Sequence, residues 1–176
     1  GDLQWQDTGE RLTEETFRSY REEGGTVIIH MMKPDWIEMG LKASHTMVAS
    51  DGMPYALGAH PRGAGTFSRF LGRYVRDEGT LSLMEGLRKM TLMPAQRLES
   101  ISPQMTRKGR IQVGSDADIT IFDPSRIIDT ATFEDDLSYS IGVEYVLVNG
   151  SFVVREGENV EGARPGVPIV GRRIVF

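Results

Sequence analysis

The chain has 176 residues, 39% of them hydrophobic and 26% charged, with a formal net charge of -5. This is enough apolar material for one good core or two small ones, and the negative balance excludes nucleic acid as the main partner, since phosphates require a positive field. With no cysteine, neither a disulfide nor a Cys-ligated zinc site can form within this stretch. No apolar run approaches the roughly 18 residues of a membrane span, and the N-terminus has no signal-peptide pattern. The expectation is a cytoplasmic protein without nucleic-acid or membrane partners. Gly1, standing where a Met would start a chain, suggests a tag remnant or an excised fragment.

Helical and strand signals alternate first, and strands take over from Lys108. Residues 13–23 read as a helix, with Thr13 as N-cap and Glu14 and Glu15 at the positive end of the dipole. Gly24 and Gly25 stop it. Residues 26–31 (TVIIHM) are apolar and β-branched on consecutive positions, the pattern of a strand buried on both faces. Pro34 opens a helix to about residue 43 with Trp36, Ile37 and Leu41 inward. A short apolar strand at 46–49 then runs into Ser50-Asp51-Gly52. Strand, helix and strand in this rhythm predict a βα unit of a parallel sheet.

After Thr66, the residues Phe67, Phe70, Leu71, Tyr74 and Val75 share one helical face, with Arg69, Arg73, Arg76 and Asp77 opposite and Gly79 as the stop. Ser82 and Glu85 predict a capping box for a helix carrying Leu83, Leu87 and Met90. Residues 94–98 add a short helical turn. Further on, 117–122 (ADITIF) reads as a strand ended by Asp123-Pro124. Residues 143–148 and 152–155 flank Asn149-Gly150, a strong signal for a type I′ hairpin. The tail, with Pro165, Pro168 and Arg172-Arg173, carries no clear pattern.

Asp51 is the most pointed residue. It closes a short apolar strand, and in parallel α/β folds ligands gather at that end of the strands. A carboxylate there can bind a metal, take a proton from a metal-bound water, or do both. The competing reading is a turn, because Asp-Gly is a common turn dipeptide. His60-Pro61-Arg62 follows in a loop with Gly58, Gly63 and Gly65, which can set a guanidinium against a carboxylate substrate in two-point geometry. A plain surface ion pair is the alternative for Arg62. His30, near the end of the preceding strand, reads first as a hydrogen-bonded core histidine, and His45 as a surface one. No His-x-His pair or other metal spacing occurs, so a complete metal site is not expected within this chain.

Ser50-Asp51-Gly52, His60-Pro61-Arg62-Gly63, Gly65-Thr66-Phe67 and Leu71-Gly72-Arg73-Tyr74-Val75-Arg76 together resemble the D-aminoacylase branch of the amidohydrolase superfamily. The likeness continues through Arg88-Lys89-Met90-Thr91, Pro94-Ala95-Gln96-Arg97-Leu98, Gly109-Arg110-Ile111 and Phe122-Asp123-Pro124. Thr132-Phe133-Glu134-Asp135, Val146-Leu147-Val148-Asn149-Gly150 and Gly162-Ala163-Arg164-Pro165-Gly166 complete it in the family's order. The resemblance implies an α/β fold, with the last βα units of a metal-dependent (β/α)8 barrel in 1–107 and strands of a flanking β-sandwich in 108–176.

The activity it implies is zinc-dependent hydrolysis of the amide of N-acyl-D-amino acids or of dipeptides containing a D-amino acid. Asp51 would match the carboxylate after the last barrel strand, a proton acceptor from the zinc-bound water and a possible metal ligand. Arg62 would bind the substrate α-carboxylate, with His60 and His30 as further substrate-side residues. The family's other metal ligands have no counterpart here. A whole (β/α)8 barrel needs about 250 residues, so the expected partner is a missing N-terminal portion, without which the chain is inactive and prone to homo-oligomerise. A non-catalytic binding domain and a cyclic-amide hydrolase are the alternatives.

Overall fold

The computed structural model describes residues 1–52 and 60–171. The glycine-loop residue Gly58 and the Arg172-Arg173 pair lie outside the described residues. Strand β1 (Leu3–Trp5), helix α1 (Glu14–Glu23) and strand β2 (Val27–Ile29) form a first small unit in which β1 and β2 pair antiparallel, Gln4 opposite Ile28. Thr13 caps α1 as its sequence predicts, but Thr16 supplies the reciprocal bond of the capping box. Trp5 stacks on Tyr20 of α1 with ring centroids 4.4 Å apart. Gly25 lets that indole approach, since a Cβ there would lie 2.2 Å from its ring.

Helix α2 (Pro34–Lys42) begins with Pro34 in its first turn. Two expectations fail here. The 46–49 segment is not a strand, and β2 pairs antiparallel, so the described residues form no parallel βα unit. Nor is β2 buried on both faces: Ile29 is 54% exposed, and in α2 Trp36, expected inward, is 45% exposed with Lys33 over its ring. Apolar pattern specifies what a strand would bury, whereas a strand exists only where another backbone pairs with it.

Helix α3 (Arg62–Arg69) starts earlier than its apolar face suggests and passes into a π-helical stretch, Phe70–Asp77. Phe70, Leu71 and Val75 of that stretch are buried with Ile127 in the main core, joined by Leu41, Val48, Leu87, Phe122 and Val143. Phe67, assigned to the same face, is exposed.

In helix α4 (Leu83–Met90) Ser82 caps the Glu85 N–H, but the Glu85 carboxylate pairs with Arg88 at 2.8 Å, leaving the box half made. Helix α5 (Leu92–Leu98) and a 3-10 turn (Pro103–Arg107) lead to the sheet. Strands β3 (Ile119–Phe122), β4 (Val143–Val148), β5 (Ser151–Arg155) and β6 (Glu158–Asn159) follow in sequential antiparallel order. Asn149 and Gly150 turn β4 into β5 with φ of 48° and 77°, the sign that a type I′ turn demands at both positions. Because Phe122 and Val143 of this sheet pack on the helical core, the helices and the sheet share one apolar contact.

Candidate active site

Asp51 follows the 46–49 segment with φ of 48°, a left-handed conformation that Asp tolerates better than most side chains. Gly52 follows at close range to α3: a Cβ on it would lie 3.0 Å from the Gly63 Cα. This approach delivers Asp51 to the first residue of the helix. There the Arg62 guanidinium holds the Asp51 carboxylate at 2.7 Å and its carbonyl at 3.1 Å. The pair is open to water, with the Asp51 side chain 81% exposed, so it adds little stability. It leaves a solvent-reachable carboxylate beside a guanidinium that also bonds the Asp51 backbone carbonyl.

His60 supports this pair from below. Its Nδ1 accepts the Arg62 backbone N–H at 3.1 Å, which places the ring proton of the neutral form on Nε2. His30 is fixed elsewhere: Gln4, buried, donates its amide to the Gly9 carbonyl and accepts from His30 Nε2 at 2.7 Å. The two imidazoles meet through Phe133, each edge-on to its ring at 4.8 Å. Both titrate below the usual histidine range. Burial is the main cause for both, helped by Arg62 and His30 at His60 and by Arg11 at His30.

Beside the Asp51–Arg62 pair opens a cavity of about 360 Å³. His60, Arg62 and Arg69 line it from the helix side, and Asp129, Thr132 and Phe133 from the loop between β3 and β4. Gly65 lets the two sides close, since a Cβ there would meet Asp129 at 2.8 Å, and Arg69 bonds the Asp129 carboxylate at 3.1 Å. Of the expected residues, then, Asp51, Arg62 and His60 come together. Neither Asp51 nor His30 lines the cavity itself: Asp51 reaches it through Arg62, His30 packs on Phe133, and His45 is exposed. Asp129 and Phe133 went unassigned in the sequence. Phe133 lies in a motif carrying the family resemblance, but nothing local tied it to histidines far earlier in the chain.

Among the described residues no group of three or more His, Cys, Asp or Glu side chains converges. A zinc site takes about four donors, and Asp51 offers one carboxylate. The described residues therefore do not form a zinc site by themselves.

The profile of the Amidohydrolase family matches residues 14–154. A D-aminoacylase of Alcaligenes xylosoxydans xylosoxydans is 39% identical over 132 residues, covering 75% of this chain and 26% of the relative. Among solved structures, a D-aminoacylase described for the role of its binuclear metal centre superposes with a TM-score of 0.81 at 30% identity, over 98% of this chain and 38% of its own. The N-acyl-D-glutamate deacylase of Bordetella bronchiseptica, complexed with zinc and a phosphonate mimic of the tetrahedral intermediate, superposes with a TM-score of 0.71 at 28% identity over 90% of this chain and 36% of that one. The chain thus spans about a quarter of the curated relative's length and under two fifths of each solved one. By the extent of the profile match and the agreement in fold, it belongs to the amidohydrolase family.

Proposed function

We propose that this chain is part of a zinc-dependent hydrolase that cleaves the amide bond of N-acyl-D-amino acids or of dipeptides containing a D-amino acid. The observation that carries the reading is the Asp51–Arg62 pair, closed at 2.7 Å beside a cavity in a chain similar to D-aminoacylase and N-acyl-D-glutamate deacylase. The reading assigns 1–107 to a barrel segment and 108–176 to a flanking sandwich.

In it, Arg62 exchanges its hold on Asp51 for the α-carboxylate of the substrate, which the guanidinium fork can bind at two points. Asp51, so released, accepts a proton from the attacking water and passes it to the departing amine. The Nε2–H of His60 remains as a hydrogen-bond donor to the bound substrate. Zinc, held mainly by donors outside this chain, would supply Lewis-acid polarisation of the scissile carbonyl.

The test is turnover of N-acyl-D-amino acids by the full-length, zinc-loaded protein and by its Asp51→Asn variant. Loss of the proton acceptor should lower kcat by about 10²- to 10⁴-fold. A folded variant that keeps wild-type kcat would remove Asp51 from the chemistry. The lack of a converging metal cluster among the described residues favours one second reading, a binding domain without catalysis. Zinc uptake without turnover of linear or cyclic amides by the full-length protein would select it.

A further inference from the structure

Lys89 is 1% exposed, the largest fully buried side chain among the described residues, and the deacylase reading gives it no task. It sits near the end of α4, against the connection from α2 to Asp51. Its ammonium donates to the Ala43 carbonyl at 2.5 Å, the Thr46 carbonyl at 3.0 Å and the Thr46 hydroxyl at 3.2 Å. The Lys89 carbonyl in turn accepts the Val48 N–H at 3.2 Å. All of these contacts fall on one short stretch, Ala43 to Val48, just before Asp51.

A buried ammonium is costly unless its protons are all met, and here each finds an oxygen. The acceptors are two carbonyls and a hydroxyl. Ala43 is the C-cap of α2, where unpaired carbonyls and the negative end of the helix dipole favour a cation. The Thr46 hydroxyl is placed to donate to the Gly40 carbonyl at 2.6 Å or the Ala43 carbonyl at 2.9 Å, so the ammonium completes a knot at the end of this helix. Filling space would need only an apolar side chain. The donors have a different use: among the described residues no strand pairs with 46–49, and the ammonium fastens the chain here through the Ala43 and Thr46 backbone carbonyls.

We infer that Lys89 is a positioning residue for Asp51: by tying down residues 43–48 it sets where the Asp51 carboxylate stands relative to Arg62. The catalytic consequence rests on the deacylase reading, whereas the fastening is a property of this chain alone.

Lys89→Met keeps the length of the side chain and removes the ammonium. Thr46→Val keeps the branched shape and removes one acceptor. Hydrogen exchange is followed in both, and kcat and KM toward an N-acyl-D-amino acid are measured per bound zinc on the full-length protein, beside an Asp51→Asn control. In K89M the amides of 44–51 should exchange faster while those of α3 and β4 keep their protection. Its kcat should fall about 10- to 100-fold, as a displacement of roughly 1 Å would cause, with KM within about twofold. T46V should show the same pattern more weakly.

Folded K89M with wild-type exchange over 44–51, with uniformly faster exchange everywhere, or with wild-type kcat while D51N is dead, overturns the inference and spares the deacylase reading. A wild type without deacylase activity sinks that reading instead, and the exchange comparison still decides the fastening. If K89M does not fold, T46V decides: unchanged exchange and kcat overturn the inference.

Discussion

His30 and His60 lie far apart in the sequence and share one aromatic neighbour, Phe133. Each is held below the ordinary histidine value of 6.5, chiefly by burial. The sign of the consequence follows from linkage. Below pH 6.5 the unfolded chain binds protons that the folded imidazoles refuse, so their contribution to stability is present above that pH and is lost as the pH falls through the folded values. The urea midpoint should therefore drop on going from about pH 7 to about pH 5, a range in which histidine is the side chain that ordinarily titrates. A His30→Asn, His60→Asn double variant should lose that part of the slope. If its midpoint follows pH as steeply as the wild type's, the two imidazoles are not its source.

At the scale of elements, Gly72 decides how the π-helical continuation of α3 lies against the segment between β3 and β4. A Cβ at this position would sit 2.3 Å from the Ile127 carbonyl oxygen and 2.8 Å from the Ile128 side chain. Alanine is favoured over glycine in a helix by about 1 kcal/mol, but a backbone carbonyl at that distance cannot step aside. Gly72→Ala should destabilise the fold by about 1–3 kcal/mol, the usual cost of overpacking, read as a lower urea midpoint. A variant as stable as the wild type would mean that the helix and the Ile127 segment between β3 and β4 are free to part.

The same elements show how far the sequence could be read. Helix α1 was legible because its cap and stop are local, and the β4–β5 hairpin because two residues dictate the turn. The strand within 26–31 was legible as β2, but its antiparallel partner and the absence of a strand at 46–49 were not, since pairing depends on a second backbone that no local pattern names. The π-helical turn escaped because spacing arguments assume 3.6 residues per turn. In the site, Asp51, Arg62 and His60 lie close in sequence and could be grouped on that ground. Lys89 and Phe133 act across separations of more than forty residues, and only the folded chain brings them in.

For the whole molecule, the main physical fact is the apolar surface that the fold leaves in water. Met31 and Met32, next to β2, are 58% and 62% exposed, and Ile111 and Val113 stand almost fully out at 89% and 104%. Strand β2 is paired on one side by β1 and has no other strand partner among the described residues. An unpaired edge beside exposed apolar side chains is a template for another backbone, and the net charge of -5 opposes association only weakly once salt screens it. By itself, then, the 176-residue chain should self-associate. Sedimentation velocity over a tenfold or so concentration range should show dimers or larger species growing with concentration, and more of them as added salt weakens charge repulsion. A single monomer boundary at every concentration and salt level would mean that the chain covers its own edge.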